Sequence, residues 1–147
     1  MMVDPGSLVL DAPLVLDTHI WLWLMAGDIT LSEPARQNIG EAARAGRVLV
    51  PAIAVWEIAM LENHSRIVLA EPTRQWAERA LSAPGINLAP LTPAIAVEAC
   101  QLPGAFHKDP ADRMIAATAR VENAVLVTRD RRILAYGEAG HVSTLAA

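Results

Sequence analysis

The chain has 147 residues, 53% of them hydrophobic and 19% charged, which excludes a disordered polymer and suits one domain with a buried core. Its formal net charge of −4 excludes a global electrostatic pull on nucleic acid, although basic residues accompany several of its acids. A lone cysteine, Cys100, excludes an internal disulfide, and without paired Cys/His spacing a structural zinc site has no ligands; a reduced, cytoplasmic setting fits both.

Residues 1–13 read as a loose N-terminal leader, with Pro5, Gly6 and Pro13, ahead of a single domain over 14–147. The apolar run over 8–16 is broken by Asp11 and Pro13 and has no basic leader, so neither a membrane span nor a signal peptide is expected. Leu14, Val15 and Leu16 then form a short buried strand ending at Asp17. A short helix follows around Trp21 to Met25 and stops near Gly27. The next starts at Ser32 as cap with Pro34 in its first turn and reaches Gly46. A second strand over 47–50 leads into a helix opened by Pro51 and running to about Leu61. A helix over 72–81, a strand over 86–91 and a helix from Thr92-Pro93 to Leu102 come next. Asp109 caps a further helix, with Pro110 at its start, that ends near Glu122. The last elements are a strand at Val125 to Val127, a short helix over 131–135 and an edge strand over 141–144. Short apolar strands separated by helices predict a central parallel sheet covered on both faces.

In open parallel sheets, ligands gather at the carboxyl ends of the strands. Asp17 directly follows one strand, and Asp130 follows another by three residues. Asp112 lies in the first turn of a helix that opens on the same edge, where the helix dipole welcomes negative charge. Glu57 is the lone carboxylate in the apolar stretch from Pro51 to Leu61, so no helical rotation gives it a polar face. Taken singly, each acid has a plain structural role: a loop acid at Asp17, a solvent-reaching side chain at Glu57, caps at Asp109 and Asp130. Taken together they need a counter-ion, because two carboxylates about 4 Å apart repel by roughly 4 kcal/mol at an effective dielectric near 20. All-oxygen ligands select hard cations, here Mg²⁺ or Mn²⁺, and such an ion assists phosphodiester hydrolysis by activating water and orienting phosphate.

With these residues assembled, the sequence resembles the PIN-domain family, and within it the VapC-type toxins of toxin–antitoxin pairs. The matching pieces are Leu16-Asp17-Thr18-His19, Val55-Trp56-Glu57-Ile58-Ala59, His107-Lys108-Asp109-Pro110-Ala111-Asp112-Arg113 with Ile115-Ala116-Ala117, and Val127-Thr128-Arg129-Asp130. They occur in family order over residues 14–144. The resemblance implies a three-layer α/β/α fold and a metal-dependent endoribonuclease. It also implies an RNA substrate, an antitoxin partner similar to VapB, and a homodimer. Asp17, Glu57, Asp112 and Asp130 match the acidic quartet that binds Mg²⁺ or Mn²⁺, and Thr128 matches a hydroxyl residue beside the last acid. Asp109 keeps its capping role and holds the loop that aims Asp112. Arg113, Arg129, Arg131 and Arg132 are all candidates to hold RNA phosphates, with solvated surface as the default for each; Arg113, which the motif includes, and Arg129 are the two expected to do so. Two positions depart from the pattern: Ala54 and Pro51 stand where hydroxyl residues are common, and each removes a group that would orient Glu57.

Other residues and other folds carry less. His19, His64, His107 and His141 have no ligand spacing, though His107 adjoins the acids; Trp21, Trp23 and Trp56 read as core or interface. A haloacid-dehalogenase-like phosphatase requires a second Asp two positions after the first, where this chain has His19. A phospho-acceptor signalling domain requires paired acids on the first strand end and a late lysine, and none follows Lys108. The alternative within the same fold is a catalytically weak module that binds RNA or protein, against which the intact quartet argues.

Overall fold

A computed structural model describes residues 2–3 and 12–147. In chain order its elements are β1 (Met2–Val3), β2 (Leu14–Leu16), α1 (Thr18–Ala26), α2 (Glu33–Arg44), β3 (Val48–Pro51), α3 (Ala52–Asn63), α4 (Thr73–Leu81), β4 (Ile86–Ala89), α5 (Pro93–Cys100), α6 (Pro110–Val121), β5 (Val125–Thr128), α7 (Arg131–Glu138) and β6 (Ser143–Ala146). The local chemistry accounts for the boundaries. Ser32 Oγ accepts from the Ala35 amide at 3.4 Å to open α2, and Thr92 Oγ1 accepts from Ile95 at 3.2 Å to open α5. Gly27, at φ 64°, closes α1 in the left-handed region that glycine adopts without strain. Pro51 ends β3 and caps α3 directly, so strand and helix join with no loop between them.

Among the described residues the strands form one sheet in the order β1-β6-β5-β2-β3-β4, every pair parallel. The order reverses at β2: the chain builds β3 and β4 to one side, then returns to build β5 and β6 on the other. Leu14, Val15 and Leu16 pair with Val125, Leu126 and Val127 across this switch point. The predicted 86–91 strand stops at Ala89, and the predicted 141–144 edge strand is β6, which is interior because Met2 and Val3 pair beyond it with Thr144 and Leu145. Positions 2 and 3 of the expected leader therefore belong to the sheet; positions 1 and 4–11 lie outside the described residues.

Alternation along β2 divides the core between the two faces. Leu14 and Leu16 pack into one cluster with Ile20, Trp21, Ile39, Ile58 and Trp76, while Val15 joins Ile95, Ile115, Leu126 and Ile133 in the other. Helices α1 to α4 thus supply one outer layer, and α5, α6 and α7 the other. Trp21 is fully buried against Trp76 with ring centroids 4.9 Å apart, Trp23 is half-buried, and Trp56 is exposed.

Close approach of backbones fixes one glycine. Gly85, at φ 79° before β4, would place a Cβ 1.8 Å from the carbonyl oxygen of Ala43 at the end of α2. Gly85→Ala is expected to destabilise the protein by about 2 kcal/mol or more, roughly 5 °C in Tm. Thermal denaturation followed by circular dichroism measures this, and an unchanged Tm would contradict the packing described.

Candidate active site

The carboxyl ends of β2 and β5, at the switch point, carry the two acids that follow them in sequence. Asp17 caps α1, its Oδ1 accepting from the Thr18 amide at 2.9 Å. Its Oδ2 accepts from Thr128 Oγ1 at 2.6 Å, across the β2–β5 pair. Asp130 caps α7, with Oδ1 accepting from the amides of Arg132 at 2.8 Å and Ile133 at 3.3 Å. The Asp130 amide in turn donates to Thr128 Oγ1 at 3.0 Å, so one buried hydroxyl ties both strand-end acids together. Glu57 enters from α3, and Thr18 Oγ1 donates to its Oε1. Asp112 enters from the first turn of α6, where Asp109 is the cap and accepts from the Ala111 amide at 3.2 Å.

The structure brings Asp17, Glu57, Asp112 and Asp130 to one cavity of about 410 Å³, together with Asp109, His19, Trp23, Arg129 and Arg132. Among the described residues no three Asp, Glu, His or Cys side chains stand close enough to form a ready-made metal site. The electrostatics nevertheless register a deficit of positive charge. Burial, followed by repulsion from Asp17, Asp109, Asp130 and Glu57, pushes the Asp112 carboxyl up to about 8. Burial also raises Asp17, against the hydrogen bonds from Thr128 and Thr18, and raises Glu57, with Asp17 and Asp109 adding to it. Asp130 goes the other way: burial works to raise it, but hydrogen bonds from Arg132 and from the first amides of α7 hold it below the usual carboxylate range. A hard divalent cation fits this all-oxygen donor set, whose acids gather more negative charge than the surrounding donors neutralise.

Two arginines do not sit as the sequence suggests. Arg113 does not line the cavity: its Nε donates to Ala99 O at 2.8 Å, and its Nη1 to the carbonyls of Phe106 at 3.1 Å and His107 at 3.2 Å. It braces the loop before α6 instead of presenting donors to a substrate. Arg129 reaches the cavity, but its donors go to the carbonyls of Ala147 and Thr30, and its guanidinium lies over Trp23 at 5.1 Å. Sequence reasoning ranked Arg132 behind Arg113 and Arg129 and missed Thr18. Arg132 lies with Nη2 3.6 Å from Asp112 Oδ2 and 3.4 Å from Asp130 Oδ2. Thr18, directly after Asp17, supplies the hydroxyl to Glu57 that Ala54 and Pro51 lack. His107 stacks on Phe106 and brings Nε2 within 3.2 Å of Asp112 Oδ2, at an angle outside hydrogen-bonding range.

A parallel sheet that opens an acidic cavity at its switch point defines a class of α/β proteins that bind their ligands there, and the sequence narrows that class. The PIN domain matches residues 14–139, and the chain belongs to the PIN-domain family. It is 38% identical over 122 residues to Ribonuclease VapC22 of Mycobacterium tuberculosis (strain ATCC 25618 / H37Rv), covering 83% of this chain and 90% of that protein. In fold it is similar to VapBC2 from Rickettsia felis bound to a DNA fragment from their promoter, with TM-score 0.65 and 16% identity over 90% of this chain and 97% of that one. DNA-bound VapBC from Salmonella typhimurium is alike at TM-score 0.65 and 18% identity, over 92% and 98% of the two chains. Nucleases of this type in the PIN family are typically metal-dependent.

The raised acids set the pH dependence of the metal-free protein. The folded form binds a proton at Asp112 that the unfolded chain releases near the ordinary value of 3.8, so this contribution to stability is present below that value and is lost as pH rises to about 8. Asp17 and Glu57 act with the same sign, and Asp130 opposes them. In EDTA, the Tm of wild type should fall relative to that of Asp112→Asn as pH rises through this window. Parallel curves for the two proteins would refute the assignment of the perturbed group.

Proposed function

We propose that this chain is the ribonuclease toxin of a VapC-type toxin–antitoxin pair, hydrolysing RNA phosphodiester bonds with Mg²⁺ or Mn²⁺ held by Asp17, Glu57, Asp112 and Asp130. The convergence of these acids from four separate elements on one cavity carries the reading, and the kinship to a named ribonuclease supports it. Asp17, Glu57 and Asp112 are the proposed primary ligands, and Asp130 completes the set. A divalent cation there supplies charge neutralisation, a lowered pKa for attacking water and orientation of the phosphodiester. The chain's own residues do the rest. Thr128 holds Asp17 and Thr18 holds Glu57, so neither carboxylate must be ordered when substrate arrives. Asp109 caps α6 and Arg113 braces the loop before it, which together aim Asp112 into the cavity.

An antitoxin is the proposed protein partner, as the similar solved structures are toxin–antitoxin complexes. An apolar groove of about 600 Å³ between α3 and α4, lined by Val55, Ala59, Ala77, Leu81 and Leu88, offers a seat for a helix with an apolar face. A homodimer is consistent with the exposed Trp56, Leu91 and Val97. No described helix is long and apolar enough to cross a membrane, and a reduced, cytoplasmic setting is the proposed site of action.

Metal-dependent cleavage of a panel of structured and unstructured RNAs tests the reading. Asp17→Asn and Asp112→Asn should each abolish cleavage with the fold intact; equal cleavage by wild type and Asp17→Asn would remove Asp17 from the site. Absence of cleavage by wild type with either ion would favour the binding module. Thr128→Val leaves the ligands in place but frees Asp17, and should weaken Mn²⁺ binding by about 10- to 100-fold in calorimetry. Unaltered binding would mean that Thr128 orients nothing of consequence.

A further inference from the structure

Two arginines line the acidic cavity and a third, Arg113, lies close by; carbonyl groups of the chain account for Arg113 and Arg129. Arg113 is held by three backbone oxygens and Arg129 by two, with Trp23 beneath the latter. Arg132 differs in kind. Among the described residues its side chain pairs with Asp112 at 3.6 Å and Asp130 at 3.4 Å, both carboxylates of the proposed metal site. It stands in the first turn of α7, fixed at its backbone by Asp130, while its side chain is 63% exposed. A guanidinium bridging two carboxylates is a counter-ion that a divalent cation competes with. Once those oxygens are taken by the cation, the planar donor fork is left at the cavity rim, and the group whose geometry it matches is a phosphate.

We propose that Arg132 is a substrate-binding residue for RNA phosphate, held in the metal-free protein as the counter-ion of Asp112 and Asp130 and released to the substrate when a divalent cation takes those carboxylates. The inference rests on the proposed ribonuclease function and adds to it the residue that receives the RNA backbone. It predicts opposite signs for two equilibria. Removing the guanidinium removes a competitor of the metal and tightens metal binding, while it deletes a phosphate contact and weakens RNA binding. A purely structural role for Arg132 would weaken both.

The experiment compares wild type, Arg132→Gln and Arg132→Lys, after circular dichroism shows that all three are folded. Mn²⁺ affinity is measured by calorimetry without RNA. Binding of a fluorescent single-stranded RNA is measured with Ca²⁺ replacing Mg²⁺, the RNA being checked on a gel as uncut. Arg132→Gln should bind Mn²⁺ several-fold more tightly and RNA about tenfold more weakly. Its slope of log affinity against log salt should be shallower by about 0.7, the loss of one phosphate contact to a single strand. Arg132→Lys should lie between the two in both assays. Weaker Mn²⁺ binding in Arg132→Gln, or RNA binding equal to wild type, overturns the inference and leaves the ribonuclease reading in place. Wild type that neither binds nor cuts RNA overturns both.

Discussion

Four carboxylates facing one cavity repel one another, and the rest of the site is arranged around that repulsion. The fold meets it with fixed donors. Thr128 donates to Asp17, Thr18 to Glu57, and the first amides of α7 to Asp130. Both threonines are buried, so their hydroxyls have little to bond with except the acids they serve. Among the described residues Asp112 has no such donor: an off-axis imidazole, which burial keeps toward its neutral form, and an exposed guanidinium are the nitrogen groups beside it. Burial and the surrounding acids therefore push its carboxyl up to about 8.

That cluster is a product of the sheet order. Because β2 lies between β3 and β5, the chain leaves it in one direction and comes back on the other, and the helices after β2 and β5 diverge from a common edge. Asp17 and Asp130 cap those two helices, and the β2–β5 register sets Thr128 beside Asp17. The direct junction of β3 with α3 at Pro51 carries Glu57 toward the same edge without the slack of a loop. Each acid is thus mounted on a regular element, which is the condition for a preorganised site.

Much of this is legible in the sequence. Leu14 to Leu16, Val48 to Val50 and Val125 to Val127 are too short and too apolar for anything but buried strands, and Ser32, Thr92 and Asp109 are strong caps. The edge of the sheet was not legible, since Met2 and Val3 pair through backbone groups that carry no side-chain signature. The contacts of the arginines were not legible for a related reason. Membership of a motif places Arg113 near Asp112 along the chain, but a residue one position further around a helix points elsewhere, and here it meets the carbonyls of Ala99, Phe106 and His107. Thr18 was legible only as the neighbour of Asp17, not as the partner of a glutamate 39 positions away.

By itself the sequence determined the class of the protein: short apolar strands alternating with capped helices, and acids at strand ends and in one helix's first turn, allow few folds and suggest one chemistry. Those properties are local, set by side-chain size, period and capping over a few residues. Tertiary structure decided which side chains face the cavity, which hydroxyls orient which carboxylates, and which arginine is left to meet a substrate. Such outcomes depend on distances between segments far apart in the chain, and on competition among donors for a limited number of acceptors. In the stretch over 106–117, Asp109 caps at the cavity rim, Arg113 braces, and Asp112 is the buried acid that faces the cavity.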